Sequence, residues 1–117
     1  MAGEVTLGPI NMTWTGSEVV LRFVDPGAMM AEIPAHLERD LSRLAQAHAS
    51  ELADKPWCID LENVPTISSR QLGILLTVRK VGETAGPITL RGLAEPVATL
   101  LEVTRMIKLF NVEADEG

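Results

Sequence analysis

The chain has 117 residues, one cysteine and a formal net charge of −6, with 46% of its residues hydrophobic, which suits one domain around one core and leaves little room for a second. A chain of this length removes roughly two-thirds of its unfolded surface from water, so neither a disulfide nor a metal is required to hold it, and a lone cysteine without a secretory-type leader points to a reducing cytoplasm. Sixteen acidic against ten basic residues argue against nucleic-acid binding, and the longest apolar run, Ala28-Met29-Met30-Ala31, is far short of the roughly 20 residues that span a bilayer.

Residues 10–14 and 18–24 flank Thr15-Gly16-Ser17 and read as a β-hairpin. In the second run Val19, Leu21 and Phe23 alternate with Val20, Arg22 and Val24, which predicts a strand covered on both faces. Asp25-Pro26-Gly27 is a strong stop. Ile33, Leu37, Leu41, Leu44 and His48 then recur every three or four residues, predicting a first helix with Pro34 in its opening turn. Residues 57–61 form an apolar run too short for a helix and suited to a buried strand. A loop over 63–67 leads to a second helix, expected over 69–83, whose stripe is Leu72, Leu75, Leu76 and Val78. Residues 82–87 punctuate the chain before another strand at 88–91. Glu95-Pro96 opens a third helix striped by Val97, Leu100, Leu101 and Thr104, and a short turn follows around 106–109. Residues 113–117 read as an acidic, frayed tail outside a domain spanning 1–112.

The order β-β-α-β-α-β-α predicts a single α/β domain. Its sheet should be mixed but mostly parallel, with an antiparallel N-terminal hairpin and right-handed crossover helices.

Most catalytic chemistry finds no support. The sequence holds no phosphate loop, no dinucleotide fingerprint, no H-E-x-x-H and no cysteine pair. His36 and His48 fall twelve residues apart on one predicted helix, about 18 Å at 1.5 Å per residue, and cannot share a metal. Cys58, in mid-strand, reads as a buried and inert thiol, and Trp14 and Trp57 read as packing residues. Asp60 ends a strand but lacks the companion acids and lysine of a phospho-accepting magnesium site, and no G-x-S-x-G elbow surrounds Ser68 or Ser69. A non-enzymatic protein without cofactor or metal is expected.

Charge distribution isolates one segment. Residues 63–82 carry Arg70, Arg79 and Lys80 and no acid. Within them, Ile67-Ser68-Ser69-Arg70-Gln71-Leu72-Gly73 joins the loop to the second helix. A serine there can simply cap the helix by accepting a free N–H. The same geometry suits a phosphoserine, because free N–H groups and the positive end of the helix dipole stabilise an anion, with Arg70 adjacent.

The stretch from Cys58 to Leu76, CIDLENVPTISSRQLGILL, resembles the signature of STAS domains of bacterial anti-sigma factor antagonists: an apolar strand, D-L-S-x-V-x-F-I, then D-S-[ST]-G-L-G and an apolar helix. Residues 88–90 resemble the following strand, and residues 96–110, ending Lys108-Leu109-Phe110, resemble the closing helix. The likeness covers most of the chain, with its specific part in residues 60–76 and 96–110. Asp60, Leu61, Val64, Leu72 and Gly73 fix a gapless register in which Ser69 falls at the phosphoacceptor, with Ser68 the competing acceptor. The family's acid before the acceptor is Ser68 here, its next Ser/Thr is Arg70 and its Gly is Gln71. Losing the acid and gaining Arg70 implies a partner more acidic than usual, or phosphorylation that is altered or absent.

The resemblance implies a cytoplasmic transcription regulator that binds an anti-sigma factor with serine-kinase activity while unphosphorylated. A phosphatase would reset it, with no direct contact to nucleic acid or membrane. The partner surface would comprise Ser68, Ser69, Arg70 and Gln71 with the turn holding Asp25, Met29 and Met30. The alternatives are a non-catalytic STAS subunit of an ABC-type lipid transporter or stress-signalling complex, and a small-ligand module.

Overall fold

Alternating apolar and polar residues build the N-terminal part of the sheet as three strands, where two are expected. They are β1 (Gly3–Leu7), β2 (Ile10–Trp14) and β3 (Val19–Phe23), paired antiparallel in that order. β1 is absent from the predicted elements because its alternation, Val5 and Leu7 against Glu4 and Thr6, is that of a half-buried edge. Gly3 pairs with Trp14, and a Cβ there would run into the indole ring, so glycine lets the edge strand lie close over Trp14. The computed structural model describes residues 2–8, 10–23, 36–67, 69–83 and 86–113, the side chains of residues 69 and 70 excepted. Val24, Ile33 and Pro34, assigned above to a strand and a helix, lie outside the described residues.

The remaining strands add in parallel. β4 (Trp57–Asp60) pairs with β3 in the register Val19↔Trp57 to Arg22↔Asp60. β5 (Thr89–Arg91) pairs with β4, and β6 (Asn111–Val112) with β5. The result is one six-stranded mixed sheet in chain order. Parallel neighbours require a crossover, and helices supply it: α1 (Leu37–Ala47) and α2 (Ala49–Leu52) before β4, α3 (Ser69–Gly82) between β4 and β5, and α4 (Glu95–Val103) with a 3-10 turn at Met106–Leu109 before β6. The expected parallel pair at 57–61 and 88–91, joined by a helix beginning at Ser69, is therefore present. β6 is too short to announce itself in sequence. It carries the pairing to Glu113, whose N–H donates to the Leu90 carbonyl at 2.9 Å.

The core lies on one face of the sheet. Met12, Leu21, Ile59 and Leu90 meet Leu41, Leu75, Val97 and Leu101 in a single cluster. α3 turns Leu72, Ile74, Leu75 and Val78 inward and leaves Leu76 exposed, and Thr104, which caps the end of α4, is likewise exposed, its hydroxyl donating to the Leu100 carbonyl at 2.8 Å. At the end of α3, a Cβ on Gly82 would sit 2.7 Å from Trp57 ring atoms, which is why the helix ends in glycine against that ring.

The second face departs from the apolar layer expected on β3. Val20 and Cys58 are buried there, but the rest is a lattice of polar pairs. Asn11 donates to Glu4 and Thr6, Arg22 pairs with Asp60 at 3.2 Å, and Arg91 reaches Glu18 at 3.1 Å and Glu113 at 2.9 Å. The hydrogen bond to Glu113, and after it the one to Glu18, holds the Arg91 guanidinium firmly charged. Burial pushes the Cys58 thiol up to about 11, so it carries little thiolate at neutral pH. Among the described residues no helix is long and apolar enough to cross a membrane.

Among the described residues the predicted first helix is present as α1, and the short α2 after His48 is an element the periodicity does not announce. His48 separates α1 from α2, and its ring meets that of Trp14 at a tilt of 47°, with centroids 4.9 Å apart. Glu51 receives the Trp14 indole N–H at 3.1 Å and lies 3.2 Å from His48 Nδ1. The His48 hydrogen bond, then that of Trp14, holds the Glu51 carboxyl below its ordinary value of 4.5. A lowered carboxylate contributes stability that is complete above its unfolded value and is lost as pH falls through the folded one. Glu51→Gln should therefore flatten the acid limb: in urea melts from pH 7 to 3, the wild type loses midpoint faster than the variant below about 4.5. Parallel profiles would contradict the Trp14–Glu51–His48 arrangement.

Candidate functional site

β4 is buried along its whole length and ends at Asp60, which is 5% exposed. Both Asp60 oxygens are engaged: Oδ1 accepts the Glu62 N–H at 3.0 Å and Oδ2 takes the Arg22 guanidinium at 3.2 Å. The first contact closes an Asx turn that redirects the chain out of the strand. The turn continues with the Leu61 N–H donating to the Arg91 carbonyl at 2.8 Å and the Val64 N–H to the Leu61 carbonyl at 3.0 Å. Leu61, Val64 and Ile67 are buried, each worth about 1.5–3 kcal/mol of burial, so the loop is anchored at three points before α3 begins.

Asn63 ties this loop to the neighbouring strand, its side-chain N–H donating to the Phe23 carbonyl at 2.8 Å. β3 and β4 are parallel, so both run out at the same edge of the sheet, as the sequence predicts. Asp25, Met29 and Met30, expected in a turn after β3, lie outside the described residues, and so does Ser68.

Ser69 is the first residue of α3 and Arg70 the second. The N–H groups of an opening helical turn have no partner within the helix, and the dipole there is positive. The first turn of α3 holds no acid, and Arg79 and Lys80 fall in its last turn, where cations are favoured. The backbone at Ser69 is thus suited to an anion. Gln71 is a correction: expected on the partner surface, it is 2% exposed. Its position explains why, since residues 71, 75 and 78 fall on the inward stripe of α3, where Leu75 and Val78 are also buried.

One feature beside this loop escapes the periodicity reading. Ile67, Glu95, Pro96, Thr99, Leu100 and Val103 line an open groove of about 540 Å³ between the β4–α3 loop and α4. Its apolar stripe, Pro96, Thr99, Leu100 and Val103, has helical spacing and lies beside the buried pair Val97 and Leu101. A helix with two apolar stripes was the available signal.

No protein-family model matches this chain, and no curated protein sequence matches it.

The turn at Asp60 sets the cost of disturbing the site. Asp60→Ala should lower stability by about 1–3 kcal/mol, through loss of the turn hydrogen bond and of Arg22's partner. Asp60→Asn keeps an acceptor for the Glu62 N–H and loses the ion pair alone; Arg22 is 48% exposed, so the loss should stay within about 1 kcal/mol and shrink in high salt. Urea denaturation of the two variants at low and high salt checks the ordering.

Proposed function

We propose that the protein is a STAS-domain anti-sigma factor antagonist whose binding is switched by phosphorylation of Ser69. The observation that carries the reading is the position of Ser69 at the start of the crossover helix, directly after the exit loop of a buried parallel strand. The register of the D-L…V…L-G signature independently assigns the acceptor to that residue.

Unphosphorylated, the chain binds a cytoplasmic anti-sigma factor that is also a serine kinase and so releases a sigma factor for transcription. The kinase then transfers the γ-phosphoryl group of ATP. An Oγ–phosphorus bond forms at Ser69, the bond from that phosphorus to the β,γ-bridging oxygen breaks, ADP leaves, and the hydroxyl proton passes to a base on the kinase. The product carries about −1.5 to −2 charges where the serine hydroxyl carried none, and desolvation and repulsion end the complex. A phosphatase restores the hydroxyl. Arg70, Ser68 and the turn bearing Asp25, Met29 and Met30 complete the partner surface, and Gln71, 2% exposed, is left out of it.

The test mixes the purified protein with its cognate anti-sigma kinase and ATP, maps phosphate by mass spectrometry, and measures binding. Ser69→Ala should take no phosphate and stay bound. Ser69→Glu should bind more weakly than wild type by about tenfold, some 1.4 kcal/mol, and less weakly than the phosphoprotein. Phosphate on Ser68, or normal labelling and release of Ser69→Ala, would overturn the assignment. A stable complex with an ABC-type ATPase and none with an anti-sigma kinase would favour the structural-subunit reading.

A further inference from the structure

We infer that the groove between α4 and the β4–α3 loop is a second docking surface, and that its occupant is an amphipathic helix of a partner protein carrying aliphatic residues flanked by lysine or arginine. This does not rest on the identity of the domain or on phosphorylation of Ser69.

The groove is mainly apolar, lined by Ile67, Pro96, Leu100 and Val103 beside Thr99 and Glu95, and Val103 is 74% exposed, the most exposed large hydrophobic residue among those described. Shape points to a helix rather than an extended strand, because the surface offers side chains along a helix and a loop and no free sheet edge. Charge names the partner's flank. Glu95 lines the groove and Glu102 follows seven residues on, about 10.5 Å along the same side of α4. Among the described residues neither has an ion-pair partner, as is also true of Glu4 and Glu62. Two unpaired carboxylates beside an apolar stripe are complementary to cations set about two helical turns apart.

The same charges disfavour other occupants. A second copy packed by a two-fold axis with antiparallel α4 helices would bring Glu95 against Glu102 of its mate, on a chain that already carries −6. An anionic lipid surface would meet the same repulsion.

The probe is a synthetic amphipathic helix of about four turns, with leucines on one face and lysines beside them, compared with the same helix bearing glutamates. In ¹⁵N-correlated NMR titrations the lysine helix should shift the amides of Ile67, Thr99 and Val103 and bind at least tenfold more tightly than the glutamate helix. Val103→Asp, a change at an exposed position, should abolish the shifts while leaving the rest of the spectrum intact. The pair Glu95→Lys and Glu102→Lys should reverse the preference between the two helices. Equal binding of both helices, shifts confined to other surfaces, concentration-dependent dimerisation lost in Val103→Asp, or binding to anionic vesicles in place of the helix would each overturn the inference. Because no kinase enters this experiment, its failure would leave the Ser69 switch standing, and failure of the switch would leave the groove standing.

Discussion

The parallel pairing of β3 with β4 is the constraint on which the rest of the site depends. Register from Val19↔Trp57 to Arg22↔Asp60 puts two chain exits at one edge of the sheet and sets the pair Arg22–Asp60 side by side on its polar face. A parallel partner cannot be reached by a tight turn, so each further strand brings a helix with it, and α3 follows β4 after its exit loop. The first turn of α3 is therefore placed by the sheet and by the anchored loop from Leu61 to Ile67.

Energetically the two faces divide the work. The helix-covered face holds the continuous apolar cluster, and burial there is the main stabilising term. The other face is a set of ion pairs and side-chain amide contacts that are partly exposed and individually weak. Their effect is on alignment. Arg91 joins β5 to Glu18 at the entry to β3, which the backbone links to β5 only through β4, and to Glu113 just beyond the directly paired β6.

Much of this was legible in the residues, for identifiable reasons. The strands at 10–14, 57–61 and 88–91 and the helices that open at Ser69 and at Glu95 announce themselves through strong period and firm stops. β1 and β6 do not, because an edge strand is half-buried and a two-residue strand has no period. His48 closes the apolar stripe of the first helix, yet its ring meets Trp14, remote in sequence, and Glu51 on the short helix that follows. At the site, the place of Ser69 follows from local pattern. The burial of Gln71 does not, since a polar residue at the head of a helix reads as exposed until the neighbouring inward positions are seen. The Asp60–Arg22 pair joins residues 38 apart, a distance over which no local pattern speaks.

The central claim is that α3 starts on a fixed platform, so that a phosphate on Ser69 changes the surface and leaves the sheet and core as they are. The most direct measurement is a comparison of backbone amide spectra of the protein with serine and with phosphoserine at position 69. The account predicts shifts confined to the opening turn of α3, the preceding loop and the neighbouring chain exit after Phe23, with β4, β5 and the far end of α3 unmoved. Shifts running through Ile59, Leu75 and Leu90 would mean that the core rearranges, and would contradict it.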